Sequence, residues 1–284
     1  MISFLALQAS LFLHAAELEP GLYAKFTTSK GEFIAVLHAQ QVPVTVANFV
    51  GLAEGSKVWI DLENAKVSHA PFFDGLTFHR VIDGFMIQSG SPSGDGSDTP
   101  GYSFPDEFVP ELRHDGPGVL SMANAGANTN GSQFFVTLDA TEWLDDVHSI
   151  FGRVVEGMDV VEMIGAVDTD GDDKPLEPVV LQKVDILRIG EEAEAFDPEA
   201  AAPMLPRVHG VQTSITLYDA DLALGWDLTE ATDYWVFIGE TPTKLYGWRT
   251  FWSWPGVIFT NGLSAPEAYF KVIGVHYPAE VESN

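Results

Sequence analysis

Short runs of alternating apolar and polar residues dominate the chain from about Glu17 to Gly190. Leu22-Tyr23-Ala24-Lys25-Phe26-Thr27 and Gly31-Glu32-Phe33-Ile34-Ala35-Val36-Leu37 predict two strands around a turn at Ser29-Lys30-Gly31, because residues two apart share one face of a strand. Phe78 to Gln88, Val119 to Ala123, Ser132 to Leu138 and Val179 to Ile189 predict further strands. Two stretches break the alternation. Val46 to Ala53 has apolar spacing suited to a helix, with Thr45 as N-cap and Gly55 as stop. Gly157 to Ile164 puts Val160, Val161 and Ile164 on one helical face. Many short strands with two short helices predict a mainly β fold, a closed antiparallel sheet plugged by helices.

The pattern changes twice more. Residues 191–207, inside the stretch GEEAEAFDPEAAAPMLPR, are acidic and then rich in Ala and Pro, without apolar periodicity, which is linker composition. Residues 208–284 return to strands at Leu222–Trp226, Tyr234–Ile238 and Tyr269–Val275. They predict a small β-sandwich whose aromatics form its core. At the other end, Met1 to Ala16 is apolar, carries no charged side chain and is too short to span a bilayer. Residues 1–16 resemble the apolar core of a secretory signal peptide, cleaved near Ala15 or Ala16, although the usual early Lys or Arg is missing. The alternative is a buried N-terminal strand or helix. Export makes the mature protein periplasmic or secreted; without it the chain is expected in the cytoplasm. The division read from the sequence is therefore leader 1–16, main domain 17–190, linker 191–207 and C-terminal module 208–284.

Composition narrows the chemistry. Hydrophobic residues at 46% and charged residues at 19% are a globular balance. The net charge of -27 repels polyanions, so nucleic acid and acidic lipid are poor partners and polypeptides fit better. No segment after the leader is long and apolar enough for a transmembrane helix, and a monomer is expected. The absence of cysteine excludes disulfides, thiol nucleophiles and Cys-ligated metals. There is no P-loop, GxGxxG or nucleophile elbow. Asp168-Thr169-Asp170-Gly171-Asp172-Asp173 lacks EF-hand spacing and reads as a solvated acidic turn. No metal or cofactor is expected.

The middle of the chain carries a dense set of runs: Phe78-His79-Arg80-Val81-Ile82-Asp83-Gly84-Phe85-Met86-Ile87-Gln88, Gly116 to Gly126, Asn128 to Phe135, Glu142-Trp143-Leu144-Asp145, and Val147 to Val154. In this order they closely resemble the cyclophilin family, over about Leu22 to Ile189. The resemblance implies an eight-stranded barrel capped by two helices, and peptidyl-prolyl cis/trans isomerase activity on proline-containing polypeptides without cofactor. It implies that Arg80 is the catalytic arginine, and that Phe85, Met86, Phe135 and Leu144 form a cup for the proline ring. Gln88 matches the glutamine that orients the arginine, and Ala123 and Asn124 the stretch that pairs with bound peptide. The resemblance further implies that Gln133 lines the same groove, that Trp143 contacts substrate and cyclosporin-type ligands, that His148 stands at the pocket edge, and that His79 is a secondary contact. A non-catalytic proline-peptide binding or scaffolding module is the alternative, but such a module could lose Arg80. Three departures are visible. The family's Gly-Thr pair beside the groove is matched nearest by Gly94-Asp95, whose loop carries carboxylates that would favour basic or polar residues upstream of the proline. Lys57 to Ala70 looks like an insertion, read as a surface loop without assignable role. Ala127 stands where the family usually has proline. The C-terminal module bears a weaker likeness to fibronectin type III domains.

Overall fold

The computed structural model describes residues 18–210, 213–218, 221–226, 233–241, 244–250, 256–259 and 269–278, so the apolar leader lies outside the described residues. The main domain runs β1 (Gly21–Thr28), β2 (Gly31–Leu37), α1 (Pro43–Glu54), β3 (Trp59–Asp61), β4 (Lys66–Ser68), β5 (Leu76–Thr77), β6 (Arg80–Ile82), β7 (Met86–Ser89), β8 (Val119–Met122), β9 (Phe134–Thr137), β10 (Ile150–Glu156), α2 (Met158–Gly165) and β11 (Val180–Ile189). Nine of these strands form one antiparallel sheet in the order β5-β11-β1-β2-β10-β8-β9-β7-β6. Its two edge strands are β5 and β6, which only Phe78 and His79 separate in the chain. One segment thus pairs with β11 through Leu76 and Thr77 and with β7 through Arg80 to Ile82. It brings the two edges of the sheet together, and counted as one interrupted strand it makes the barrel eight-stranded. Such closure removes the open edges that a curled sheet would otherwise expose.

The barrel interior is aromatic. Phe49 on α1 lies 4.9 to 6.0 Å, ring to ring, from Phe26, Phe73, Phe134 and Phe151, and all five rings are buried. Helix α1 starts with Pro43 in its first turn rather than with Thr45 as cap. Proline fits there because its missing N–H would have no intrahelical partner. The free amides of Val44 and Thr45 donate to the Glu107 carboxylate, as does the Thr45 hydroxyl. Gly55 ends the helix in the left-handed conformation, at φ 75.

Phe78 to Gln88 is a hairpin rather than one strand. The Asp83-Gly84 pair turns the chain, with Gly84 at φ 68 and the Phe85 amide donating to the Ile82 carbonyl at 3.0 Å. An Asp-Gly pair between apolar runs is a hairpin signal, which the continuous apolar pattern masked.

The stretch expected as a linker is folded. It holds α3 (Glu191–Glu194) and α4 (Pro198–Ala201), and buries Ala193, Ala202 and Leu205 in the barrel's outer core. Four-residue helices have too few positions to show a helical period, so composition misled the reading. Beyond it lie β12 (Arg207–Gly210), β13 (Thr213–Tyr218), β14 (Asp221–Trp226), β15 (Asp233–Thr241), β16 (Lys244–Thr250), β17 (Gly256–Phe259) and β18 (Tyr269–His276). They make a four-stranded sheet, β12-β18-β15-β16, and a three-stranded sheet, β13-β14-β17, both antiparallel.

The insertion also departs from the expected loop. Strands β3 and β4 form a hairpin, with Trp59 opposite Ser68 and Ile60 opposite Val67. Alternation sends its side chains two ways. Trp59 meets Phe72 edge-on at 4.8 Å beside the barrel core, whereas Ile60 enters a second cluster with Ala65, Tyr102, Val208, Phe237, Ile273 and Val275. This hairpin is therefore the platform on which the four-stranded sheet sits.

Replacing Phe49 by Ala removes a ring touching four others and should lower unfolding free energy by about 3–5 kcal/mol. Denaturant unfolding followed by near-UV circular dichroism measures this; a loss under about 1 kcal/mol would contradict the packing described.

Candidate active site

Directly opposed residues of antiparallel strands share a face. The registers Arg80 with Gln88, Gln88 with Phe135, and Phe135 with Ser121 thus align four side chains in a row across β6, β7, β9 and β8. Met86, two residues before Gln88, shares that face. The loop after β9 brings over a short 3-10 helix, Glu142–Leu144, and then His148. Together they enclose a groove of about 470 Å³ lined by His79, Arg80, Phe85, Met86, Gln88, Ala123, Asn124, Phe135, Leu144 and His148, and also by Asp95, Gly96 and Asp172. Ten of the twelve residues singled out in the sequence therefore meet in one groove. The other two stand beside it. Trp143 is 67% exposed with its ring 5.9 Å from Phe85. Gln133 braces the groove from behind.

The bracing is specific. Gln133 Nε2 donates to the carbonyls of Gly96 and Asp98, each at 2.9 Å, while Gln133 Oε1 accepts from Gln88 Nε2 at 3.0 Å. Gln88 is thus tied to Gln133 and faces Arg80 across the strands. Arg80 is paired to Asp173, with Nε 3.4 Å from Oδ2, and both groups are partly exposed. The amide of Val81 donates to the Asp173 carbonyl at 2.8 Å, which docks the acidic turn on the strand that carries Arg80. Within that turn Asp170 accepts from the amides of Asp172 and Lys174, so one of its carboxylates closes the turn.

Loop 91–98 forms the opposite wall. Gly96, not Gly94, faces the groove: a Cβ on Gly96 would lie 3.3 Å from His79 Nε2, whereas Gly94 borders Thr77 outside it. Both loop carboxylates are engaged within the loop. Asp95 accepts from Ser93 and Ser97, whose hydroxyl and amide donors hold its pKa down to about 2. Asp98 accepts from the Ser91 hydroxyl and the Ser93 amide. Asp95 remains charged, and both carboxylates face polar loop atoms.

Below the apolar part of the groove lies a group the sequence reading missed. His114 is buried, with Nδ1 2.9 Å from Asp145 Oδ1 and Nε2 3.0 Å from Ser121 Oγ. Its ring stacks under Phe135 at 5.9 Å and 12°. His148 meets the same Phe135 edge-on at 5.5 Å, and its Nδ1–H donates to the Met122 carbonyl at 2.8 Å. Phe135 is therefore held between two imidazoles. Burial lowers the His114 pKa despite Asp145. Burial tends to raise that of Asp145, but the amide and ring of His114 outweigh it and lower it. Burial also lowers the pKa of His79, which is only 6% exposed, against the backbone of Thr77, which raises it. Ala123 donates its amide to the Gln133 carbonyl, and the Asn124 amide group donates to the Val147 carbonyl.

Residues 23–186 match the family model described as cyclophilin type peptidyl-prolyl cis-trans isomerase/CLD. The chain is 49% identical over 165 residues to peptidyl-prolyl cis-trans isomerase A of Mycobacterium tuberculosis, covering 57% of this chain and 91% of that one. It is 48% identical over 166 residues to peptidyl-prolyl cis-trans isomerase B of Streptomyces anulatus, covering 57% and 95%. A crystal structure of a Cryptosporidium parvum cyclophilin, 29% identical, superposes with a TM-score of 0.52 over 59% of this chain and 98% of that one. A second crystal structure of that protein, in the presence of the dipeptide Ala-Pro, gives 0.51.

The lowered histidines set a pH dependence. An unfolded imidazole takes its proton near its ordinary value of 6.5, whereas His38, His79 and His114 take theirs at lower pH in the fold. Their neutral state contributes no penalty above that value, and stability is lost as pH falls below it. Melting temperature should therefore decline between pH 7.5 and 5.5, and His114→Gln should show a shallower decline. An identical slope in that variant would remove His114 from the account.

Proposed function

The chain belongs to the cyclophilin-type peptidyl-prolyl cis/trans isomerase family, and we propose that it turns X-Pro bonds with Arg80 as donor to the prolyl nitrogen. The observation that carries this reading is the position of Arg80 beside an apolar cup of Phe85, Met86, Phe135 and Leu144 in one groove. Rotation about X-Pro must break amide resonance, a barrier of about 18–20 kcal/mol. In the twisted amide the nitrogen regains its lone pair. A guanidinium placed beside it donates to that lone pair and to nothing comparable in the planar ground state, so the interaction is differential and lowers the barrier. Arg keeps its charge at any working pH and offers rigid planar donors. Asp173 lies on the Nε side of Arg80, which leaves the terminal amines for the substrate.

The other site residues divide by chemistry. The cup holds the proline ring by dispersion and exclusion of water, with Met86 adapting its shape. Gln88, held by Gln133, offers its remaining amide capacity to the peptide backbone. Ala123 and Asn124 form the edge along which an extended peptide lies. His148 packs against Phe135 and transfers no proton, because the reaction moves none. His79 contributes as a neutral neighbour of Gly96. Exposed Trp143 supports contact with residues after the proline and with cyclosporin-type cyclic peptides. The crystal structure of the relative with Ala-Pro supports proline-containing polypeptides as substrates.

The C-terminal strands, seven in sheets of four and three, support a fibronectin type III-like reading of that module. The uncharged leader supports export to an extracytoplasmic compartment.

Isomerisation of an X-Pro peptide followed by NMR exchange tests the central reading. Arg80→Ala should reduce kcat/KM about 10²–10³-fold, the range seen when one preorganised donor is removed, while peptide binding weakens little. A wild-type rate equal to the uncatalysed rate would leave only a proline-peptide binding module. For the leader, N-terminal sequencing of material recovered outside the cytoplasm should begin near Glu17; finding only Met1 in soluble cytoplasmic protein would refute export.

A further inference from the structure

The groove wall formed by loop 91–98 continues directly into Pro100-Gly101-Tyr102-Ser103, and this continuation is held from outside the barrel. The Pro100 carbonyl accepts from the Ile60 amide of the inserted hairpin at 2.9 Å. The Gly101 carbonyl accepts from Trp235 Nε1 on β15 at 2.9 Å. The Ser103 amide donates to the hydroxyl of Tyr277, just after β18, at 3.2 Å. Tyr102 itself is fully buried in the second cluster, and its hydroxyl donates to Asn48 on α1 at 2.9 Å. No side chain fits at Gly101, where a Cβ would come within 2.7 Å of Ile60.

At its other end the same loop meets the chemistry. Gly96 and Asp98 give their carbonyls to Gln133, Gln133 accepts from Gln88, and Gln88 stands opposite Arg80. A continuous run of backbone and hydrogen bonds therefore leads from β15 and β18 to the catalytic row. The loop's own backbone hydrogen bond, from the Gly94 amide to the Ser91 carbonyl, is internal, so its place against the groove depends on Gln133 and on the held segment that follows it.

We infer that the C-terminal sheet, seated on the inserted hairpin, is a clamp that positions the Gly96 wall of the substrate groove through Trp235 and Tyr277. These are positioning residues: neither lines the groove. The clamp sets how well the groove fits an extended peptide. Arg80, Met86 and Phe135 stand on β6, β7 and β9, which the barrel holds independently, so the chemical step is spared. The inference rests on the isomerase reading of the groove.

The test uses the full chain with Trp235→Phe, Tyr277→Phe and the double variant. Phenylalanine keeps an aromatic ring at each position and removes the hydrogen-bonding atom. In NMR exchange on an X-Pro peptide, KM of the double variant should rise about three- to tenfold, the size of one net neutral hydrogen bond because only part of the loss reaches the groove, with kcat within about twofold of wild type. Amide exchange at Gly96 and Ser97 should quicken by a similar factor, while melting temperature and the near-UV spectrum stay close to wild type. Unchanged KM and unchanged exchange at Gly96 would overturn the clamp, as would a fall in melting temperature without a change in KM. Wild-type turnover in the same assay separates this result from the isomerase reading itself.

Discussion

Seven residues, Leu76 to Ile82, satisfy the hydrogen-bonding groups of two sheet edges at once, and the site is built around that constraint. Leu76 and Thr77 pair with β11, and the Phe78 amide donates to the Val179 carbonyl. Two residues later the pairing has switched to β7. A backbone that changes partner within two residues cannot slide in register without opening both edges, because each slip would leave buried N–H and C=O groups unpaired. Arg80 is the first residue after the switch. Its position is therefore fixed by the closure of the barrel, and the Asp83-Gly84 turn then folds Met86 and Gln88 back beside it.

Electrostatics around Arg80 follow the same economy of means. A half-exposed ion pair such as Arg80 with Asp173 contributes little to stability, about 0–1 kcal/mol. Its consequence is geometric: it limits the rotation of a long side chain whose planar donors must face one atom. The anion is itself delivered by backbone, since the Asp173 carbonyl accepts from Val81 next to Arg80. The acidic turn that reads as mere solvated surface in the sequence thus touches Arg80, and Asp172 borders the groove.

What the sequence made legible and what it hid divide along range of interaction. Most strands and both main helices are encoded by local period and could be read directly, whereas the groove residues were legible only through the resemblance carried by contiguous runs such as Phe78 to Gln88. His114 could not, because nothing in its own neighbourhood marks it. It becomes part of the site through Asp145, Ser121 and Phe135, which lie on separate elements. The choice between Gly94 and Gly96 had the same difficulty: both are glycines with positive φ in a loop without period, and only contact with His79 and Gln133 distinguishes them. The folded stretch 191–207 and the hairpin at 59–68 failed for a third reason, since their short elements bury residues against partners far along the chain.

The hairpin and the C-terminal sheet make the last case most sharply. Two three-residue strands are too short to stand in water as an isolated hairpin. The second cluster joins Ile60 and Ala65 of the hairpin and Tyr102 of the barrel to Val208, Phe237, Ile273 and Val275, so the two sides share one cluster among the described residues. Lys57 adds to the dependence. Burial, with the neighbouring charge of Arg207, lowers its ammonium to about 8, yet it is held by the Pro206 carbonyl and lies 5.0 Å from the centre of the Tyr102 ring. Closure of the chain after α4 thus costs Lys57 hydration, which the Pro206 carbonyl and the Tyr102 ring offset only in part. Hairpin, Tyr102 and sheet thus share one cluster, and the segment they hold, Pro100 to Ser103, is the one into which the groove wall of loop 91–98 continues.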